Sequence, residues 1–245
     1  MQQHIYAIYG LVRVADEVVD TYRGTDGERI LRELEAEVYS ALTHGYSANP
    51  IVHSYALTAR QFGIGRELIQ PFFASMYMDL NPVAYTKKKY DAYIYGSAEV
   101  VGLMCLRVFL DGDTEAYRRL EPGARALGSA YQKVNFLRDI AADHHELGRI
   151  YFPGLSFDTF DDTAKQAIVE EIEGEFAQAR IAIEQLPQSS RGAVSLSVSY
   201  YAKLLSIVKK TPANVIKQER IRVNNPTKAI LFLRAQALRV VSYGR

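Results

Sequence analysis

Two groups of side chains are spaced so that they could do chemistry together. The first is Tyr9-x-x-x-Arg13-x-x-Asp16-Glu17-x-x-Asp20. Residues three and four apart stack on a helix, so Tyr9, Arg13, Asp16 and Asp20 share a stripe. Leu11, Val12, Val14, Ala15, Val18 and Val19 fill the rest. A helix this apolar is buried over most of its circumference. Carboxylates on it lose solvation, which is costly unless they face a polar cavity, a cation or a partner. The second group is Gln132-x-x-Asn135-x-x-x-Asp139-x-x-x-Asp143, with Arg138 beside it. Asn135, Asp139 and Asp143 again share a face, and Val134, Phe136, Leu137 and Ile140 supply the apolar remainder.

Carboxylate and amide oxygens are hard ligands that suit Mg²⁺ better than Zn²⁺. Mg²⁺ held by one or two carboxylates keeps positions open for water and phosphate oxygens. Two such clusters facing one another would hold two or three ions around a diphosphate and help break its C–O bond. A single D-x-x-x-D pair is commonly a solvated or salt-bridged helix face. Its recurrence on two apolar helices, the second with an added Asn and Gln, favours a shared metal site. The chain has no Walker loop, dinucleotide fingerprint or Ser/His/Asp triad.

Helices must position these groups. Apolar periodicity predicts them over residues 5–22, 28–42, 50–62 and 66–80, with Asn81-Pro82 as a turn. A longer stretch follows over 86–110, holding Gly96 and Gly102, where it is expected to bend. Residues 114–145 come next, with a kink or break expected at Pro122-Gly123. Tyr151 to Gly154 reads as extended, and two helices follow over 161–186 and 191–210. A last amphipathic, basic segment spans 227–241. Strand signals are weak, so the fold class is all-α, a single domain over 1–245.

Composition sets outer limits. The 245 residues are 48% apolar and 23% charged, which excludes disorder. A net charge of +1 supplies no global field for nucleic acid. The lone Cys105 excludes an internal disulfide framework and fits the reducing cytoplasm. No apolar run approaches the roughly 20 residues needed to span a bilayer. The basic tail, with Leu231, Phe232 and Leu233 on one face, offers a peripheral contact to an anionic inner membrane face or a core-packing helix. His144 and His145 read as solvated helix-end residues, and Lys87 to Lys89 as a solvated helix start.

Residues 5–20 resemble the first aspartate-rich motif of the squalene/phytoene synthase family. Residues 132–143, followed by Gly148-Arg-Ile-Tyr-Phe-Pro153, resemble its second. Tyr93-Ile-Tyr-Gly-Ser-Ala-Glu-Val-Val-Gly102 is similar to the tyrosine-rich helix between them. Order and spacing agree from residue 5 to about 225, and the bacterial phytoene synthases are the nearest in character.

The resemblance implies an isoprenoid-synthase helical bundle with the two motifs on opposite walls of a central cavity. It implies a prenyltransferase that joins two geranylgeranyl diphosphates head to head into phytoene for carotenoid biosynthesis, without a nicotinamide. Asp16 and Asp20 would bind Mg²⁺ on one diphosphate, and Asn135, Asp139 and Asp143 Mg²⁺ on the other. Arg13, Arg138, Tyr201 and Arg220 match diphosphate contacts, and Gln132 a polar contact beside the second motif. Tyr9 and Tyr93 match tyrosines lining the reaction chamber. Family members carry a further segment upstream of Ile5, with a Ser-rich, Phe-containing helix that contributes to one substrate site. The chain is therefore expected to be short by one N-terminal helix. Glu99 stands where many members have Gly. Two rival readings are a synthase acting on farnesyl diphosphate and a catalytically inactive helical interaction protein. Cavity depth decides the first and metal–diphosphate binding the second.

Overall fold

The computed structural model describes residues 1–80, 85–147 and 150–225, and all of their regular structure is helical. The Asn81-Pro82 turn, Gly148-Arg149 and the 227–241 tail fall outside those residues. Helix α1 (Gln2–Asp16) opens the chain and continues into a π-helical turn, Glu17–Thr21. Helices α2 (Gly27–His44), α3 (Pro50–Phe62) and α4 (Arg66–Leu80) follow. Helix α5 (Lys87–Ile94) passes through a second π-helical turn, Tyr95–Glu99, into α6 (Val100–Phe109). Helix α7 (Thr114–Leu147), α8 (Asp162–Ile183), α9 (Gln188–Lys210) and the short α10 (Ala213–Ile216) complete the described chain.

Local chemistry explains the boundaries. The Asn49 side chain accepts from the backbone N–H groups of Ile51 and Val52 at 3.1 and 3.5 Å, and Pro50 sits at the first helical position. Thr86 caps α5 through the Lys89 N–H, and Asp161 caps α8 through the Ala164 N–H. Helix α2 ends at Gly45, whose φ of 79° closes a left-handed cap. Lys87 to Lys89 are exposed at the start of α5, as expected.

The α5–α6 rod is the central element. It packs on α4, α7 and α1, and buries Tyr90, Tyr93, Val100, Leu103, Met104 and Leu106. The rod is 23 residues long and its most apolar 18-residue window has a mean hydropathy of 1.3, so by length and composition it could cross a membrane, because it runs on through both glycines. Here that apolarity serves the core of a helical bundle. The bend expected at Gly96 is instead the π turn. A Cβ on Gly96 would stand 2.2 Å from the Pro71 carbonyl oxygen, so only glycine lets this turn press on α4.

Helix α7 also differs from the break expected there, because it continues as one helix through Pro122. Its neighbour Gly123 admits α8, where an added Cβ would meet the Ala182 Cβ at 2.2 Å. Further along, the buried Lys133 ammonium reaches Glu171 and Glu175 of α8, each at 2.5 Å. Glu175 also accepts from the Ser129 hydroxyl at 2.7 Å. This network fixes the α7–α8 register, and α7 is what carries the second aspartate group.

Candidate active site

A cavity of about 480 Å³ runs between the second π turn, α6, α7, α8 and α9, with Val12 of α1 on its rim. Its walls are mostly apolar. Small residues on facing helices leave the space: Gly102, Ala124, Gly128, Ala179 and Ala182 all line it. Gly128 is required, since a Cβ there would come within 2.8 Å of Ala98 O and Glu99 Cα. The polar groups gather where Asn135, Tyr131, Ser197 and Tyr201 meet.

That polar end is built by α7 and α9. The Tyr131 and Tyr201 rings stack with centroids 4.0 Å apart. The Tyr201 hydroxyl donates to Asn135 Oδ1 at 3.4 Å, and Tyr131 bonds Ser197. One helical turn beyond Asn135 lies Asp139. Arg138 Nε donates to Asp139 Oδ1 at 2.9 Å, and its Nη2 grips the other oxygen. Arg220, from the irregular segment after α10, also reaches Asp139, at 2.6 and 3.2 Å. Asp139 therefore gathers two guanidinium forks beside the cavity, and such forks match phosphate oxygens as well as carboxylates. Asp143, a further turn on, is half-buried, and so is Gln132.

The first group lies on α1 and the π-helical turn that follows it. Val12 lines the cavity, and Asp16 is one turn further on the same side of α1. Arg13 pairs with Glu17 near the surface, and Asp20 is exposed. The α-helical stripe expected through Asp20 is interrupted: the Tyr22 N–H bonds Glu17 O, five residues back, at 3.0 Å. π turns of this kind are frequent at functional sites because they re-aim side chains.

Two tyrosines are placed differently from expectation. Tyr9 is 62% exposed on α1 and does not line the cavity, although it stands only one turn before Val12. Tyr93 is 4% exposed, but it is locked in an aromatic cluster rather than on the cavity. Its hydroxyl donates to Asp79 at 2.9 Å, and its ring packs on Tyr85, Phe136 and Tyr151. The tyrosines on the cavity are Tyr131 and Tyr201, and Phe109 also lines it. Tyr131 had a signal in the sequence, four residues before Asn135 and so on its face. Glu99 is an ion-pair partner, 2.6 Å from Arg125. His144 is half-buried and stacks on Phe157 at 3.9 Å rather than being solvated.

The donor set can be tested against Mg²⁺. Among the described residues no three His, Cys, Asp or Glu side chains converge on one point. Each aspartate group thus offers a partial ligand set, the kind Mg²⁺ completes with water and phosphate. Burial first, and then the charge of Asp20, push the Asp16 carboxyl up to about 6. A divalent cation between the two carboxylates would relieve that repulsion, so the residues fit the ion.

The sign of the pH effect follows. A carboxyl raised in the folded chain takes up its proton there before it does in the unfolded chain, near pH 4. The folded state therefore gains stability from Asp16 as pH falls from about 6 toward 4, and loses it as pH rises through 6. Cation binding goes the other way, since protons compete for the carboxylate. Mg²⁺ binding with inorganic diphosphate is expected to weaken by up to about tenfold per pH unit below 6. Titration calorimetry on either side of pH 6 checks this, and an unchanged affinity would remove Asp16 from the ligand set.

A helical bundle around an apolar cavity, with acidic and guanidinium groups at one end, defines a class of protein that handles a greasy chain bearing an anionic head. The sequence matches squalene/phytoene synthase over residues 1–227, and the chain belongs to that family. Its members are prenyltransferases that condense prenyl diphosphates head to head. The bifunctional lycopene cyclase/phytoene synthase of Pyrenophora tritici-repentis is 25% identical over 91% of this chain and 46% of its own length. The 15-cis-phytoene synthase of Synechocystis sp. is 28% identical over 96% of this chain and 77% of its own. The 4,4'-diapophytoene synthase of Staphylococcus haemolyticus is 27% identical over 69% and 57%. The chain thus spans about half the length of several curated relatives it matches. Among solved structures, a dehydrosqualene synthase in complex with ligand superposes with a TM-score of 0.80 at 21% identity, covering 96% of this chain and 86% of that one. Squalene synthase HpnC from Alicyclobacillus acidocaldarius superposes at 0.73 with 22% identity, over 84% and 82%. These likenesses establish the isoprenoid-synthase-type fold.

Proposed function

We propose that this chain joins two molecules of geranylgeranyl diphosphate head to head, giving phytoene, with Mg²⁺ as its metal. The observation that carries the reading is the continuity of one apolar cavity with the Asn135–Tyr201 pair and, one turn away, the Arg138–Asp139–Arg220 cluster. Mg²⁺, held by Asp16 and Asp20 on one side and Asn135, Asp139 and Asp143 on the other, would neutralise the departing diphosphate. The chain's own residues do the rest. Arg138 and Arg220 offer their forks to the diphosphate oxygens, and Arg13 and Gln132 flank the two groups. The first C–O bond breaks with its electron pair leaving on diphosphate. The double bond of the second substrate attacks the resulting allylic cation, and a proton is lost as a cyclopropyl diphosphate forms. The second C–O bond then breaks, the ring opens and a further proton leaves. The cavity walls exclude water from these cations, and the Tyr131 and Tyr201 faces stabilise positive charge without offering a nucleophilic amine.

Purified protein incubated with Mg²⁺ and labelled geranylgeranyl diphosphate, without nicotinamide, is expected to release a forty-carbon hydrocarbon. A thirty-carbon product from farnesyl diphosphate alone would replace the substrate assignment. No hydrocarbon from either, with no Mg²⁺-dependent diphosphate binding, would leave a helical interaction protein.

A further inference from the structure

Ser197 carries a hydroxyl at the polar end of the cavity that the chemistry described above does not use. It donates to the Val194 carbonyl, one turn back in α9, at 2.9 Å. Its single proton is thereby committed, so the Tyr131 hydroxyl is the donor in the bond between Tyr131 and Ser197. Burial pushes the Tyr131 hydroxyl above its ordinary value, which keeps that proton in place. Tyr131 and Asn135 stand four apart on α7, and Ser197 and Tyr201 four apart on α9, so each pair shares a face. Two polar rungs therefore join the helices, Tyr131 to Ser197 and Tyr201 to Asn135, with the ring stack running diagonally between them. Phe176 of α8 meets the Tyr131 ring edge to face, with centroids 6.1 Å apart. The bond from Tyr201 to Asn135, at 3.4 Å, is long for a hydroxyl donor. Ring placement, rather than that bond, must hold the Tyr201 hydroxyl beside Asn135.

We propose that Ser197 is a positioning residue: through the Tyr131 hydroxyl it fixes the ring stack that holds the Tyr201 hydroxyl on Asn135 Oδ1. A side-chain amide can present either of its ends. The oxygen can ligate a hard cation with one lone pair while accepting from Tyr201 with the other, whereas the NH₂ group only donates. A Tyr201 hydroxyl held in place therefore selects the ligating end of Asn135. The proposal rests on the prenyl diphosphate reading, in which Asn135 helps to hold Mg²⁺, and it gives that ligand its support.

Titration calorimetry of Mg²⁺ in the presence of inorganic diphosphate separates the two. Ser197→Ala and Tyr131→Phe should each weaken Mg²⁺ binding by about fivefold, the scale of one neutral hydrogen bond. The two changes together should cost no more than either alone, because they break the same bond. In a Tyr201→Phe background Ser197→Ala should add nothing, whereas a merely structural role would add in full. Ser197→Thr keeps a hydroxyl that can bond the carbonyl one turn back, and should restore the affinity. Circular dichroism confirms folding of each variant. If Ser197→Ala fails to fold, the same comparisons with Tyr131→Phe decide; if neither folds, the pair serves the fold and the proposal falls. If the unaltered chain binds Mg²⁺ and Ser197→Ala matches it, or adds in full to Tyr201→Phe, the positioning role falls and the prenyl diphosphate reading stands. If the unaltered chain binds no Mg²⁺ with diphosphate, that reading falls and takes the role of Ser197 with it.

Discussion

Asp139→Ala should lower turnover by at least about a thousandfold, the scale at which loss of a group that directly stabilises transferred charge is felt. Its effect on stability should be small. The Asp139 side chain is 18% exposed and Arg220 is 48% exposed, so solvent screens the pair from the arginine side. Ion pairs so exposed contribute about 1 kcal/mol or less. In a chain of this size that amounts to roughly 2–4 °C in Tm. The separation between a large kinetic and a small thermal effect identifies a residue kept for chemistry rather than folding. Removing the carboxylate also leaves Arg138 and Arg220 facing one another without the anion that now gathers them. Inorganic diphosphate supplies a replacement anion and should bind the variant without Mg²⁺, whereas Mg²⁺-dependent binding disappears. Steady-state assays with thermal unfolding measure both effects. Turnover within tenfold of the original would take Asp139 out of the reaction.

The sequence made much of this fold readable, for reasons that are local. Residues 50–62 and 66–80 coincide with α3 and α4, since Asn49, Pro50 and the flanking glycines set those ends by backbone chemistry alone. The break expected at Pro122-Gly123 does not occur. A proline removes one hydrogen bond, and the close fit of Gly123 against Ala182 in α8 outweighs that loss, a tertiary fact no local window contains. Neither π turn was readable. Each inserts one extra residue into a helix whose apolar periodicity looks regular on both sides.

The candidate site divides in the same way. Asn135, Arg138 and Asp139 could be grouped because they lie on one helix, and the structure keeps them together. Arg220 lies some eighty residues further along the chain and still meets Asp139, a pairing that no spacing could require and that differs from the diphosphate contact the resemblance implied. Tyr9 and Arg13 shared a stripe with Asp16, yet that stripe faces solvent at Tyr9. Asp16 stands at its edge, between Tyr9 and the cavity-lining Val12. A residue stripe tells which side chains are neighbours, while the neighbouring helices decide what the stripe sees.

The largest stability effect is expected at a residue with no side chain. Gly96→Ala should destabilise the chain by about 3 kcal/mol or more, the upper range for overpacking. The added Cβ would stand 2.2 Å from the Pro71 carbonyl oxygen and 2.9 Å from the Ser75 Cβ. The first of these is backbone inside α4, which buries Leu68, Ile69, Phe72 and Phe73 and cannot yield without displacing the core. A Tm lower by roughly 6–12 °C follows for a chain of this size. Gly174→Ala is the control, because nothing lies within 4 Å of its added Cβ in the middle of α8. That change should stabilise by about 0.5–1 kcal/mol through helix propensity alone. Opposite signs from one chemical change would show that contact, and not the loss of glycine as such, governs Gly96. Equal Tm values for Gly96→Ala and the original chain would mean that the π turn does not press on α4. The same turn places Ser97 and Ala98 on the cavity wall. A chain that tolerates Gly96→Ala only by shifting this turn should therefore also lose affinity for a prenyl thiolodiphosphate, and calorimetry on the folded fraction would register that loss.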